Sequence, residues 1–197
     1  MPLDTLLQIV FFNQGVLDIP QFTQFIRRTP MFQALEKAYV TFLLDGAAVE
    51  LSSQTSGGVL TVKIRCREFY RQVSTLKQFC TSYLPLSTSE NVYIRMNLNL
   101  QPNRDDDIEN IPWLELLHLF TGVKNLHLSK DMAPQFVPSL QELVGRSMAE
   151  VLPFMQNISL EGIQPGHVLG GIETFIAARQ LSGQPITVSI IPSGKET

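Results

Sequence analysis

Four short segments of the chain alternate apolar and polar residues: Leu60 to Cys66, Val92 to Leu98, Asn125 to Ser129 and Asn157 to Glu161. Laid over one another, Val62, Ile94, Leu126 and Ile158 recur every 32 residues, and so do Ile64, Met96, Leu128 and Leu160. Both columns are wholly apolar. The column between them holds Lys63, Arg95, His127 and Ser159; its neighbours are Thr61, Tyr93, Asn125 and Asn157 on one side and Arg65, Asn97, Ser129 and Glu161 on the other. Successive strand residues point to opposite faces, so the pattern predicts strands with one apolar and one polar face. Ile186 to Ile190 reads as a further strand after a slightly shorter interval.

Between these segments the apolar spacing changes to steps of three and four, the stripe of a helix. Phe69, Val73, Leu76, Cys80 and Tyr83 form one stripe. Trp113, Leu114, Leu117 and Phe120 form another behind Asn110 and Pro112, a cap and a first-turn proline. Phe136, Leu140, Leu143 and Val144 follow Pro134, and Val168, Ile172, Phe175 and Ile176 precede Gly183. Strand, helix, strand at this spacing is a crossover unit, which makes neighbouring strands parallel. Val123 to Asp131 and Met155 to Leu160 also resemble the LxxLxLxx core of a leucine-rich repeat. The expected fold is therefore α/β, a leucine-rich-repeat-like solenoid with a mostly parallel sheet and helices on one face.

The first third is less regular. Leu7 to Phe11 and Tyr39 to Leu43 read as strands about 32 residues apart, joined by a helical stretch opening near Pro20 and interrupted around Pro30. Too few residues separate Phe42 from Val62 for a full repeat, and Ala47 to Leu51 reads as an extra strand before the loop from Ser52 to Gly58. A single domain over 1–197 is expected: irregular repeats in 1–58, regular repeats in 59–165, a C-terminal repeat in 166–191 and a tail in 192–197. Gln101 to Asp107 is a polar insertion.

Composition narrows the function classes. Hydrophobic residues make up 44% and charged residues 17% of the 197, so part of the apolar surface is expected to meet a partner or a missing segment. A net charge of -3 lacks the Lys and Arg surplus that phosphate-backbone binding needs, which excludes nucleic acid as the expected partner. No apolar run reaches the ~20 residues of a membrane span, and the start MPLDTLLQIVFF lacks the features of a signal peptide. Cys66 and Cys80 have no metal-ligand spacing and read as reduced core thiols. An intracellular location follows, cytoplasmic or nuclear.

Candidate chemistry is sparse. His118, His127 and His167 form no HxxxH pair, and Asp105, Asp106 and Asp107 are consecutive, so their side chains diverge and no EF-hand glycine or closing glutamate accompanies them. Gly57-Gly58 and Gly170-Gly171 lack the context of a phosphate loop. The expectation is no catalytic residue, no metal and no cofactor. What remains is the polar strand face, where Lys63, Arg65, Tyr93, Arg95, Asn125 and His127 are the candidate partner-binding residues. Lys63, Arg95 and His127 would form a basic stripe across neighbouring strands about 5 Å apart, with Tyr93 as an aromatic anchor. An ordinary solvated face is the plain alternative; a basic stripe suits an acidic or phosphorylated peptide-like partner.

A resemblance sharpens this. Phe120-Thr-Gly-Val-Lys-Asn-Leu-His-Leu-Ser-Lys130, Pro138-Ser-Leu-Gln-Glu-Leu-Val144, Glu150-Val-Leu-Pro153, Leu160-Glu-Gly162 and Phe175-Ile-Ala-Ala-Arg-Gln-Leu-Ser-Gly183 are similar to the C-terminal region of a large group of fungal F-box proteins. Phe12-Asn-Gln14, Pro20 to Pro30 and Trp113-Leu-Glu-Leu-Leu117 fit the same group, so the likeness runs through most of the chain. It implies a ubiquitin-ligase substrate receptor whose repeats select a protein substrate. The F-box that would dock on an adaptor is expected to be absent, because Leu6 to Phe12 reads as a repeat strand. Two rivals stand beside this reading: a repeat scaffold unconnected to ubiquitination, and a small α/β enzyme using Lys130, Asp131 or Glu161 after its strands. The very apolar stretch from Leu3 to Phe12 also predicts an exposed end face and self-association there.

Overall fold

The alternating segments become strands because their apolar columns can be buried only against a layer of helices. In the computed structural model, which describes residues 6–12, 24–26, 28–29, 36–53, 58–84, 86–96, 113–144, 151–163 and 169–192, they form one eight-stranded sheet. Its strands are β1 (Leu6–Phe12), β2 (Lys37–Leu43), β3 (Gly46–Ser52), β4 (Val59–Arg65), β5 (Asn91–Met96), β6 (Asn125–Leu128), β7 (Asn157–Glu161) and β8 (Thr187–Ile191), in the spatial order β1-β4-β3-β2-β5-β6-β7-β8. The helices are α1 (Phe69–Tyr83), α2 (Trp113–Leu117), α3 (Ala133–Leu143) and α4 (Leu169–Leu181). The fold is α/β with a mostly parallel sheet. Pairings β1–β4, β2–β5, β5–β6, β6–β7 and β7–β8 are parallel, whereas β2–β3 and β3–β4 are antiparallel.

Every described helix contributes buried side chains to the same core as the apolar strand columns. Val40, Val49, Val62, Ile94, Leu128 and Leu160 share it with Val73 and Leu76 of α1, Leu116 and Leu117 of α2, Phe136 and Leu140 of α3, and Ile172 and Phe175 of α4. An aromatic cluster sits at its centre. Phe42, Phe69 and Trp113 meet edge to face at centroid separations of 5.1, 5.5 and 5.7 Å, and Phe136 packs on Trp113 at 4.8 Å, the geometry favoured by ring quadrupoles. Gln72 of α1 ties that layer to the strand ends, donating from Nε2 to the carbonyls of Leu43 (3.0 Å) and Cys66 (2.8 Å). Cys80 is buried, and burial pushes its thiol far above the ordinary range. Among the described residues no helix is long and apolar enough to cross a membrane.

Three expectations need correction. First, Val62 and Ile94 are not on neighbouring strands. The tight turn at Leu44 and Asp45 folds β3 back on β2, and β4 pairs with β3, so β3 and β2 stand between β4 and β5. Second, β6 pairs with β5 two residues out of the expected register: Val92, not Ile94, faces Leu126. Paired rows from β5 to β8 are separated by 34, 32 and 30 residues rather than by one constant interval. A shift of two leaves every side chain on its expected face, which is why alternation alone cannot detect it. Third, the helix expected to run from Trp113 to Phe120 ends at Leu117; a turn carries Phe120 into the core, where it is buried.

The expected self-association surface at Leu3 to Phe12 falls outside the described side chains, although β1 is indeed an edge strand. The exposed large apolar residues that are described are spread over the chain, with Ile190 and Ile191 on β8 at the opposite edge, Leu181 on α4, and Phe25, Leu44, Tyr70 and Phe154 elsewhere. The expected features at Pro20, Pro30, Asn97, Gln101 to Asp107, Asn110, Pro112, His167 and Val168 also lie outside the described residues.

Candidate functional site

The face of the sheet turned away from the core carries three rows of side chains. Register places Lys37, Asn91, Asn125, Asn157 and Thr187 in the first, and Tyr39, Tyr93, His127, Ser159 and Ser189 in the second. Thr41 and Arg95 belong to the third, as do Glu161 and Ile191 further along.

The first row is a ladder of amides. Asn125 Nδ2 donates to Asn91 Oδ1 at 2.8 Å, and Asn157 Nδ2 donates to Asn125 Oδ1 at 2.7 Å. Asn125 in the middle both donates and accepts, so the ladder forms only when the three strands are in this register. Asn125, one of the candidate binding residues, is thus half-buried and engaged in holding β5, β6 and β7 together.

The second row begins as a stack of rings. Tyr39 and Tyr93 lie with centroids 4.5 Å apart and planes inclined by 13°, and Tyr93 and His127 lie 4.1 Å apart at 7°. Those spacings are slightly under the ~4.8 Å between strands, so the rings lean into contact. Tyr93 is sandwiched between the other two rings, so only the outer faces of Tyr39 and His127 are left unstacked by the row. The guanidinium of Arg95 lies over both tyrosines, 5.7 Å from the centroid of Tyr39 and 5.9 Å from that of Tyr93, within cation-π reach. Burial, and secondarily the neighbouring Tyr39, push the Tyr93 phenol above its ordinary range, with Arg95 opposing. Burial first, and the Arg95 charge second, hold the His127 imidazole below its ordinary range.

A neutral, half-buried His127 makes the fold pH-sensitive in one direction. Its folded pKa lies below the unfolded value of about 6.5, so the unfolded chain binds the extra proton. The associated stability is complete above that pH and is lost as pH falls through the folded pKa. Urea midpoints should therefore drop on acidification from neutral pH, and His127→Gln should flatten that part of the profile. An equally steep profile in the variant would contradict this assignment.

The rows enclose a concavity of about 600 Å3 whose lining includes Lys37, Tyr39, Tyr93, Arg95, His127, Ser129, Ser159, Glu161 and Ile191. Of the six candidate residues, Tyr93, Arg95 and His127 therefore come together. Lys63 does not: its row runs through Ala48 and Thr41 before reaching Arg95, three strand spacings or roughly 14 Å. Arg65 is exposed at the end of β4, pairing with Gly46 and Phe12. Nor does Arg95 stand beside His127 as expected; Tyr93 does.

Lys37 and Tyr39 join the site without having been among the expected residues. Their signal is present nonetheless, since Lys37-Ala-Tyr-Val-Thr-Phe42 and Asn91-Val-Tyr-Ile-Arg-Met96 share a pattern with tyrosine at the same position. The chain matches no protein-family model, no curated protein and no solved structure. Function must then be argued from these side chains. Among the described residues no group of three or more His, Cys, Asp or Glu side chains gathers as a metal site would require. His127 stacks on Tyr93 and makes no hydrogen bond to Ser129 or Ser159, while Ser159 is hydrogen-bonded to Ser189 at 3.1 Å. Of Lys130, Asp131 and Glu161, only Glu161 lines the concavity.

Proposed function

We propose that the chain is a non-catalytic protein-interaction scaffold of leucine-rich-repeat type that receives an acidic or phosphorylated segment of a partner protein on its polar sheet face. The observation that carries this reading is the pair Lys37 and Arg95. Both cations line one concavity, on either side of the Tyr39–Tyr93 stack, and neither has a carboxylate partner among the described residues. Cations without an internal carboxylate beside an aromatic anchor suit an anionic segment, which would gain charge-assisted hydrogen bonds there. Parallel strands β5 to β8, with a helix between each pair feeding one core, support the solenoid, and intervals of 34, 32 and 30 residues suit a repeat of about 32. The resemblance to fungal F-box proteins favours substrate selection for a ubiquitin ligase, and no adaptor binding is proposed for these repeats.

Calorimetric titration with an acidic phosphoserine peptide tests the reading. Lys37→Glu with Arg95→Glu should weaken binding by about 100-fold, as expected for losing two charge-assisted contacts. Lys63→Glu should leave it unchanged, because Lys63 lies away from the concavity. Equal binding by the double variant would refute the assignment.

A further inference from the structure

The aromatic row stops partway across the concavity. On β2, β5 and β6 the row positions carry Tyr39, Tyr93 and His127; on β7 and β8 they carry Ser159 and Ser189. Rings advance by 4.5 and then 4.1 Å, close to the ~4.8 Å strand spacing. One more planar group stacked on His127 would therefore lie above Ser159, where a serine leaves the room that a tyrosine would fill. Glu161 stands two residues further along the same face of β7, and among the described residues it forms no ion pair. Ile191 faces Glu161 from β8. Arg95 leans the other way, over Tyr39 and Tyr93, and Glu161 is the carboxylate that β7, the strand carrying this position, brings to the same concavity.

Resting on the reading of this face as a partner surface, we propose that the position beyond His127 takes an arginine side chain of the bound segment, its guanidinium stacked on the imidazole and its N–H groups donated to Glu161 and the serine pair. Three demands select that group. It must be flat, because it continues a stack at ring spacing. It must be cationic, because it approaches a carboxylate with no internal partner. And it must be rich in donors, because Ser159 and Ser189 share one hydrogen bond and keep lone pairs to offer. A guanidinium meets all three. A lysine ammonium is not planar, and a phenyl or phenol ring leaves the carboxylate it desolvates without a counter-charge. An imidazole that stays neutral adds no repulsion to the stacked cation. Arg95 and Glu161 stand two strand spacings apart, roughly 10 Å. The segment that engages both therefore carries an acidic group and an arginine two or three residues apart, since an extended chain advances about 3.3 Å per residue.

The test follows the His127 ring signals by NMR while N-acetyl-arginine amide, N-acetyl-citrulline amide and N-acetyl-tyrosine amide are titrated separately. Citrulline keeps the plane and removes the charge. Arginine should give a saturable shift of His127, with citrulline and tyrosine weaker by about tenfold or more. Glu161→Gln should weaken arginine binding similarly, and Ser159→Tyr, which fills the position from within, should abolish it while the Asn91–Asn125–Asn157 amide signals persist. No saturable shift with arginine, equal binding of citrulline or tyrosine, or full binding by Ser159→Tyr would overturn the proposal. If that happens while the phosphoserine peptide still depends on Lys37 and Arg95, only the arginine position is lost; if the peptide also fails to bind, the partner surface itself is wrong.

Discussion

Arg179→Ala should destabilise the fold by about 3–5 kcal/mol, whereas Arg179→Met should cost distinctly less. Arg179 lies on α4 and is 1% exposed. One terminal nitrogen donates to the carbonyl of Leu152 at 3.2 Å and the other to that of Met155 at 2.9 Å. These contacts hold the turn that leads into β7. No carboxylate accompanies the guanidinium among the described residues, its Nε lacks a partner, and burial lowers its pKa from the ordinary value. Alanine removes the long buried stem and leaves the Met155 carbonyl without a donor, while that of Leu152 keeps the backbone N–H of Met155 at 3.3 Å. Methionine also leaves the Met155 carbonyl, but it fills most of the volume and relieves the desolvated charge, which costs more to bury than an apolar isostere. At about 2–4 °C per kcal/mol for a chain of this size, the alanine variant should melt about 6–20 °C lower. A loss under about 1 kcal/mol for alanine would mean that the contact adds little beyond ordinary burial.

Gly46→Ala is expected to be nearly as damaging, for a different reason. A Cβ at Gly46 would lie 1.9 Å from the carbonyl oxygen of Ile64, 2.9 Å from its carbonyl carbon and 3.0 Å from the Cα of Arg65. All three are backbone atoms of the paired strand β4, so no side chain can swing aside. Relief requires prising β3 from β4 at the end of the hairpin. A cost of about 3 kcal/mol or more follows, near the top of the range for forced overpacking. The control is Gly170→Ala in α4, where an added Cβ meets nothing within 4 Å. That change should be neutral or stabilising by up to about 1 kcal/mol, through helix propensity alone. Thermal melts of the two variants side by side check both statements; a Gly46 variant as stable as the Gly170 variant would contradict the close approach.

Much of this architecture was legible because period-2 alternation fixes which face each strand residue takes. Val92, Ile94, Leu126, Leu128, Ile158 and Leu160 are all buried as the alternation requires. Two helices were equally readable, α3 opening at Pro134 and α4 ending before Gly183, whose φ is 74°, whereas the stripe from Trp113 to Phe120 ran past the end of α2 at Leu117. Strand order and register were not. Nothing local distinguishes Val92 from Ile94 as the neighbour of Leu126, since either choice buries apolar against apolar. The same ambiguity displaced Lys63 from the site and hid Tyr39, because both depend on a hairpin inserting β2 and β3 between β4 and β5. Gln72 and Arg179 escaped for another reason: their importance lies in which distant carbonyls they reach, and the sequence shows only polar residues on helices.

The central claim is that the polar sheet face, not the helical layer, meets the partner. Mapping by NMR answers it most directly, with the acidic phosphoserine peptide titrated into isotopically labelled protein and ring and methyl signals followed together. Shifts should concentrate on Tyr39, Tyr93 and His127 while the methyl signals of Thr81, Thr174 and Leu181, exposed on the helices, stay in place. Shifts confined to the helical side, or no saturable shift on the three stacked rings, would contradict it.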